Sequence, residues 1–236
     1  MEELWDMLTR KMTSYGFDRL LYGFTRNRSA TSLGDPEDYI ILTNHDASYT
    51  DVFMGQRLYA NAPMVRWVLE NDGACSWNII PRLAQNGELS QAEQDVVAFN
   101  QSQRVTAGYS ISFKSISSRN KGAIALTARQ DLSQDQVDRI WDQHGEDIIA
   151  INNVAHLKII TLPHSGSSRQ LTKRQRETLE WVADGKTTQD IALLMGLTPA
   201  TVEKHLRLAR EALNVETTAQ AVLKAAFQNQ MFIMEA

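Results

Sequence analysis

Three helix starts crowd into the stretch from Leu171 to Thr198, and their spacing leaves the chain little choice of fold. Thr172 with Gln175, and Thr187 with Asp190, each form the pattern in which two side chains satisfy each other's unpaired backbone N–H groups. Gly185 and Gly196 stand where the apolar period of those two helices stops, as a glycine in the left-handed conformation does. Thr198 caps a third helix, with Pro199 at the first position, where a missing N–H costs nothing. Only Gly196, Leu197 and Thr198 separate the second helix from the third, a tight turn that sets two helices at a steep angle. The spacing predicts a helix-turn-helix within a four-helix unit, the fourth helix opening near Thr218.

The third helix divides by face. Val202, Leu206 and Ala209 lie at i, i+4 and i+7 and point to a core, while Glu203, Lys204, Arg207 and Arg210 lie opposite. A charged face on a lone amphipathic helix is usually only solvated. Here the caps and the turn make it the second helix of a pair, which suits a major groove. The string Leu171-Thr172, Arg174, Arg176-Glu177, Leu179-Glu180-Trp181, Ala183-Asp184-Gly185-Lys186-Thr187, Asp190-Ile191-Ala192, Thr201-Val202, Lys204-His205-Leu206 resembles the DNA-binding domain of the LuxR family of bacterial transcription regulators. The likeness extends through Ala219 to Ala226. It implies base contacts from Glu203, Lys204 and Arg207, phosphate contacts from Lys186, Thr187 and Thr188, and a DNA-facing surface that also takes in Thr201 and Arg210. The implied partners are double-stranded DNA carrying a pseudo-palindromic operator, a second copy of the chain, and RNA polymerase. His205 has no Cys or second His nearby and reads as a structural residue at the core edge. Two readings stay open for Ala221, Val222, Ala225 and Ala226: a dimer contact, as the resemblance implies, or ordinary core packing.

A polar run, His164 to Gln170, precedes this unit and reads as a flexible linker. It divides the chain into residues 1–163, with 15 Lys/Arg and 20 Asp/Glu, and residues 164–236, with 9 and 8, so the formal charges are −5 and +1. One cysteine, Cys75, excludes a disulfide framework and a Cys-rich zinc site. No apolar stretch approaches the roughly 18 residues a membrane crossing needs, and no basic segment followed by an apolar run opens the chain. A cytoplasmic protein without metal or cofactor is expected.

Residues 1–163 mix the two hydrophobic periods. Leu4, Leu8, Met12 and Tyr15 recur at helical spacing up to Gly16; Leu20 to Phe24 and Tyr39 to Leu42 read as strands; Tyr49 to Leu58 and Met64 to Leu69 read as helices. Ser90 with Glu93 opens a helix reaching about Arg104. Tyr109, Ile111 and Phe113 alternate with Ser110, Ser112 and Lys114, Ala123 to Ala128 is apolar on both faces, and Arg119 to Gly122 supplies the turn between them. A long helix from Ser133 closes the domain. The predicted fold class is α+β: an α/β/α sandwich with an antiparallel sheet, followed by the all-α helix-turn-helix unit.

This first part lacks the opening strand and paired acids of a phosphorylation receiver. It resembles the autoinducer-binding domain of quorum-sensing LuxR proteins through Tyr49 and Phe53 one helical turn apart, Pro63 ten residues on, and Trp77 fourteen beyond that. The resemblance implies a small-molecule signal in an aromatic pocket lined by His45, Tyr49, Phe53, Ala62, Trp77, Ala125 and Thr127. Four of these depart from the acyl-homoserine-lactone receptors. Tyr49 stands where the family usually has a Trp that donates to the lactone carbonyl, and Ala62 where an Asp accepts the ligand amide. His45 replaces a common Tyr, and Ala125 a hydroxyl residue for which Thr127 could substitute. A buried amide without its acceptor costs on the order of 1 to 3 kcal/mol. The expectation is therefore a small apolar or aromatic signal. A ligand-independent regulator and a lactone receptor with rearranged polar contacts are the alternatives. Cys75 lacks a cation in its local sequence to favour a thiolate and reads as a small buried residue. No nucleophile elbow, phosphate-binding glycine loop, metal spacing or catalytic triad is present to suggest an enzyme.

Overall fold

The computed structural model describes residues 1–26, 28–29, 32–115, 117–162 and 170–232. These fall into two compact units, residues 1–34 with 39–160 and residues 161–232 with 35–38. The linker expected at 164–170 lies, Gln170 apart, outside the described residues.

In the first unit, α1 (Glu2–Ser14) buries Trp5, Leu8 and Met12 and hands over at Gly16, whose φ of +98° an L side chain rarely adopts. Five antiparallel strands follow: β1 (Phe17–Thr25), β2 (Ile40–Thr43), β3 (Gly73–Ser76), β4 (Gly108–Phe113) and β5 (Lys121–Ala128), in the order β2-β1-β5-β4-β3. Strand alternation sends Leu20, Tyr22, Phe24, Ile111, Phe113, Ile124 and Leu126 into one core, shared with α1 and the 28-residue α6 (Gln134–Thr161). A register shift between Phe17 and Arg19 puts Phe17 in that core too. The opposite face carries Leu21 and Ala125. It is covered by α2 (Ala47–Gly55), α3 (Pro63–Glu70) and α5 (Gln91–Ser102), the last opened by the Ser90–Glu93 capping box. The α/β/α sandwich expected from the sequence is thus present.

Two local readings need correction. The helix expected to run to Leu58 stops at Gly55, and a single 3-10 turn, Leu58–Asn61, follows it. The edge strand β3 and the short α4 (Ile79–Gln85) were not anticipated, because four and seven residues are too few to display a period. Ser110 and Ser112, the polar positions of the alternation in β4, are both buried, since α3 and the Trp77 ring cover that side.

The second unit contains α7 (Lys173–Ala183), α8 (Thr188–Met195), α9 (Pro199–Ala212) and α10 (Thr218–Phe227). Capping boxes open α7, α8 and α10, the last through Thr217 and Gln220, and Thr198 accepts from the Thr201 N–H to open α9. Gly196 is left-handed at φ +64°. Leu179, Ile191, Val202, Ala209, Ala221 and Ala225 fill the core and Val222 packs against it, so three of the four small-residue stripe positions on α10 are core packing, while Ala226 is exposed. The large apolar residues that α10 exposes are Leu223 and Phe227.

Gly108 links the sheet to the cavity described below. A Cβ there would lie 2.2 Å from the Leu126 carbonyl oxygen and 3.0 Å from the Trp77 ring. Gly108→Ala should therefore destabilise the first unit by about 1 to 3 kcal/mol, read as a lowered urea midpoint; an unchanged midpoint contradicts the packing described.

Candidate ligand cavity and nucleic-acid interface

The sheet face under α2, α3 and α5 carries Leu21, Gly23, Ala123 and Ala125; Leu21 and Ala125 pack against the covering cluster, but with Gly or Ala at three of the four positions the face does not fill the space, and a cavity of about 310 Å³ remains. His45, Tyr49, Phe53, Ala62, Trp77, Ala125 and Thr127, the seven residues singled out in the sequence, all stand on its wall. His45 immediately precedes Asp46, the N-cap of α2, and Tyr49 and Phe53 sit one turn apart on the buried side of that helix. Their rings stack in series: His45 on Tyr49 at 4.5 Å between centroids, Tyr49 on Phe53 at 5.2 Å. Phe99 of α5, which sequence reading missed, also stacks on Tyr49, at 5.5 Å. Its signal was the apolar face of the Ser90 helix, which gave no hint of a shared ring stack.

The polar atoms of this wall are mostly committed. The Tyr49 hydroxyl donates to Asn100 Oδ1 at 3.1 Å, and Trp77 Nε1–H donates to Ser110 Oγ at 3.0 Å. Ser112 Oγ lies 2.6 Å from the Asn71 carbonyl and 3.1 Å from that of Val68, tying β4 to the end of α3. Thr127 Oγ1 and His45 Nε2 are 3.4 Å apart. Ala62 is buried at the N-cap of α3; its carbonyl accepts from the Val65 and Arg66 N–H groups, and it has no side-chain acceptor.

Burial sets the protonation of this site. Desolvation, with a smaller contribution from the Arg19 charge, pushes His45 down to about 4, although Asp46 opposes the shift. Desolvation likewise raises the Tyr49 phenol. The imidazole and the phenol are therefore neutral at physiological pH. Cys75 is half-buried, and burial raises its thiol more than Arg82 lowers it, which disfavours a reactive thiolate. Among the described residues no three His, Cys, Asp or Glu side chains converge as metal ligands.

The second candidate surface is built by α8 and α9. Thr187 and Asp190 share the α8 capping box, which leaves Lys186 exposed just ahead of the helix. The Thr188 hydroxyl donates to Glu203 Oε1 at 2.9 Å, pinning the start of α8 to α9. Glu203, Lys204 and Arg207 are exposed, Arg207 being paired with Glu211 one turn on. Thr201 is half-buried and shares a hydroxyl contact with Thr198 at 2.9 Å. Arg210 stands apart from this group: half-buried, it donates to Thr218 Oγ1 at 2.9 Å and joins α9 to α10. His205 is half-buried at the core edge.

Two family models match the chain. The autoinducer binding domain covers residues 1–159, and the bacterial regulatory proteins of the luxR family cover residues 169–225. The chain belongs to the LuxR-type regulators with an autoinducer-binding domain. Among its relatives is the transcriptional activator AnoR of Acinetobacter nosocomialis, 25% identical over 225 residues, spanning 95% of this chain and 90% of that one. Another is the transcriptional activator LuxR of Aliivibrio fischeri, 25% identical over 190 residues, spanning 80% and 73%. The solved structure of SdiA in complex with octanoyl-rac-glycerol shares the fold, with a TM-score of 0.50 at 16% identity over 96% of this chain and 88% of that one. This LuxR-type protein is a quorum-sensing transcription regulator rather than an enzyme. No helix among its described residues is long and apolar enough to cross a membrane.

Two buried histidines make the regulator's sensory unit acid-sensitive. His45 and His156 are both pushed down to about 4, His156 by burial beneath the sheet against Phe113 and Tyr22. In the unfolded chain each takes a proton near pH 6.5, and the folded chain does not until about 4. Stability is therefore full above pH 6.5 and falls as the pH drops from 6.5 to 4, by roughly 2 kcal/mol for each histidine. Urea midpoints across that range should show the loss, and His45→Phe and His156→Phe should each flatten it. A wild-type midpoint independent of pH would overturn the assignment of neutral histidines.

Proposed function

We propose that the regulator works as a homodimer, with a sensor domain of residues 1–163, a linker of residues 164–170 and a DNA-binding domain of residues 171–236. In this reading the cavity takes a small, largely apolar or aromatic signal in place of a standard acyl-homoserine lactone. The observation that carries it is the wall at Ala62, which is buried and offers no side-chain acceptor. Its backbone carbonyl cannot substitute, because it already accepts from the Val65 N–H at 2.9 Å and the Arg66 N–H at 3.1 Å. A ligand amide placed there goes unpaired and loses about one to two decades of affinity. SdiA, of the same fold, is held in complex with octanoyl-rac-glycerol, an ester without an amide, so the fold itself does not demand that group.

Exposed apolar stripes favour pairing. On α6, Ala150, Val154 and Leu157 are exposed at i, i+4 and i+7, and on α10 Leu223 and Phe227 are exposed one turn apart. Linker and DNA-binding domain together, residues 164–236, carry a formal charge of only +1 and so a weak electrostatic footprint, and two copies on a pseudo-palindromic operator supply the affinity that one lacks. Signal binding favours the dimer arrangement that brings both recognition helices to their half-sites, in the cytoplasm, and the bound dimer recruits RNA polymerase.

The ligand reading is tested by thermal shift. Straight-chain acyl-homoserine lactones should leave the wild-type melting temperature nearly unchanged. Ala62→Asp should raise the ligand-free value, since Asp caps α3 by about 1 kcal/mol, and should add a lactone-dependent increment on top. Strong wild-type stabilisation by a common lactone refutes the weight placed on Ala62.

The DNA reading is tested by fluorescence anisotropy. Arg207→Ala should lose about 1 to 3 kcal/mol and relax preference at one base pair. Lys186→Ala should weaken all sequences alike and reduce the salt slope by about 1. Leu157→Glu should yield monomers in sedimentation and cost operator affinity. A wild-type monomer that binds one half-site at nanomolar affinity contradicts the paired reading.

A further inference from the structure

Resting on the reading that the cavity takes a small ligand, we infer that this ligand is uncharged and carries one hydroxyl-like group held between the Thr127 hydroxyl and His45 Nε2. The buried polar side chains on the wall are nearly all engaged already. Tyr49 donates to Asn100, Ser110 accepts from Trp77, the Tyr22 hydroxyl pairs with His156 Nδ1 at 2.9 Å, and Thr25 donates to the Leu33 carbonyl at 2.8 Å. Gln134, half-buried, is satisfied at both ends: it accepts from the Gly108 N–H at 2.9 Å and donates to Ser76 Oγ at 3.0 Å and Asp138 Oδ1 at 2.8 Å. Asn78, Gln101 and Thr106 are exposed, where water serves them.

Of the buried polar side chains on the wall Thr127 and His45 remain; the Tyr59 hydroxyl and the Asn100 amide nitrogen are half-buried, with solvent as well as the cavity within reach. Thr127 and His45 are buried together, and their mutual contact of 3.4 Å is at the long limit of a hydrogen bond. A hydroxyl both donates and accepts, so it completes the Thr127 oxygen and the imidazole nitrogen in either tautomer. Thr127 lies two residues beyond Ala125 on the same face of β5, so the polar anchor has moved one strand repeat along the sheet.

Among the described residues the wall has no free charge to receive an ionic head group. Lys121 Nζ holds the Asn71 carbonyl and Asp72, each at 3.0 Å. The Arg19 guanidinium holds Asp18 at 3.2 Å, the Arg104 carbonyl at 3.1 Å and the Ala128 carbonyl at 2.8 Å. His45 stays neutral through burial. A carboxylate placed beside Thr127 is desolvated without a partner, which costs more than the hydrogen bond returns.

The test is calorimetric titration of the full chain at pH 8 with octan-1-ol, 1-chlorooctane and octanoate. Octan-1-ol should bind about 5- to 10-fold more tightly than 1-chlorooctane, and octanoate most weakly. Thr127→Val and His45→Phe, the latter keeping a ring on Tyr49, should each bring the ratio of octan-1-ol to 1-chlorooctane affinity down to about one. Thr127→Ser, which retains the hydroxyl, should preserve the wild-type ratio. Octanoate binding as tightly as the alcohol overturns the proposal, as does equal binding of octan-1-ol and 1-chlorooctane to the wild type; in both cases the ligand cavity itself stands. If none of the three probes binds, the cavity reading fails and this proposal with it.

Discussion

Everything in the sensory unit follows from covering a five-stranded antiparallel sheet on both faces with side chains of unequal size. Along β1 and β5, period two puts Leu20, Tyr22, Phe24, Ile124 and Leu126 on one side and Leu21, Gly23, Ala123 and Ala125 on the other. The large set meets α1 and α6 and closes into a dry core. The other set, Gly or Ala at three of its four positions, fills the space under α2, α3 and α5 only in part, and the gap it leaves is the cavity. Filling that gap with larger residues would remove the site before it removed the fold. The cavity is thus a product of the same alternation that builds the core, and the rings of α2 enclose it without filling it.

The DNA-binding unit rests on local rules instead. Each of its four helices begins at a threonine whose hydroxyl accepts from the backbone N–H three residues on, and Gly196 ends α8 in a conformation few other residues tolerate. Such signals lie within four residues of chain, which is why Thr172, Thr187 and Thr198 could be recognised from the sequence alone. The fourth helix begins at Thr218 as expected, with the adjacent Thr217 as its cap.

What the sequence concealed was long-range or short in extent. Helices with sustained period and capped ends were plain, and so were the β4 and β5 hairpin strands. The four-residue β3 and the seven-residue α4 carry too little pattern. The burial of Ser110 and Ser112 was not legible, because alternation reports which side a residue is on, not what covers it. The seven cavity residues were chosen through a family likeness, and their convergence needed α2, α3, β3 and β5 to come together. Phe99 and Asn100 complete the ring stack and the Tyr49 hydrogen bond, but they lie about fifty residues from Tyr49, at a separation local patterning does not bridge. Arg210 was grouped with the exposed charges by helical period. Its tie to Thr218 depends on α10, which no reading of α9 alone supplies.

The two ends of α3 are fastened unequally, and this gives the cavity a mechanical polarity. At the C-terminal end, the Val68 and Asn71 carbonyls are held by the buried Ser112 hydroxyl, and Lys121 adds a second hold on Asn71. Near the N-terminal end, Ala62 contributes no side-chain cap, and the neighbouring ion pair, Arg66 to Glu93 at 3.2 Å, sits with its arginine half in solvent. Breaking a half-solvated pair costs little compared with stripping a buried hydroxyl from two carbonyls. The edge of the cavity wall beside Ala62 is therefore its more weakly fastened edge, and the position without a side-chain acceptor stands on it.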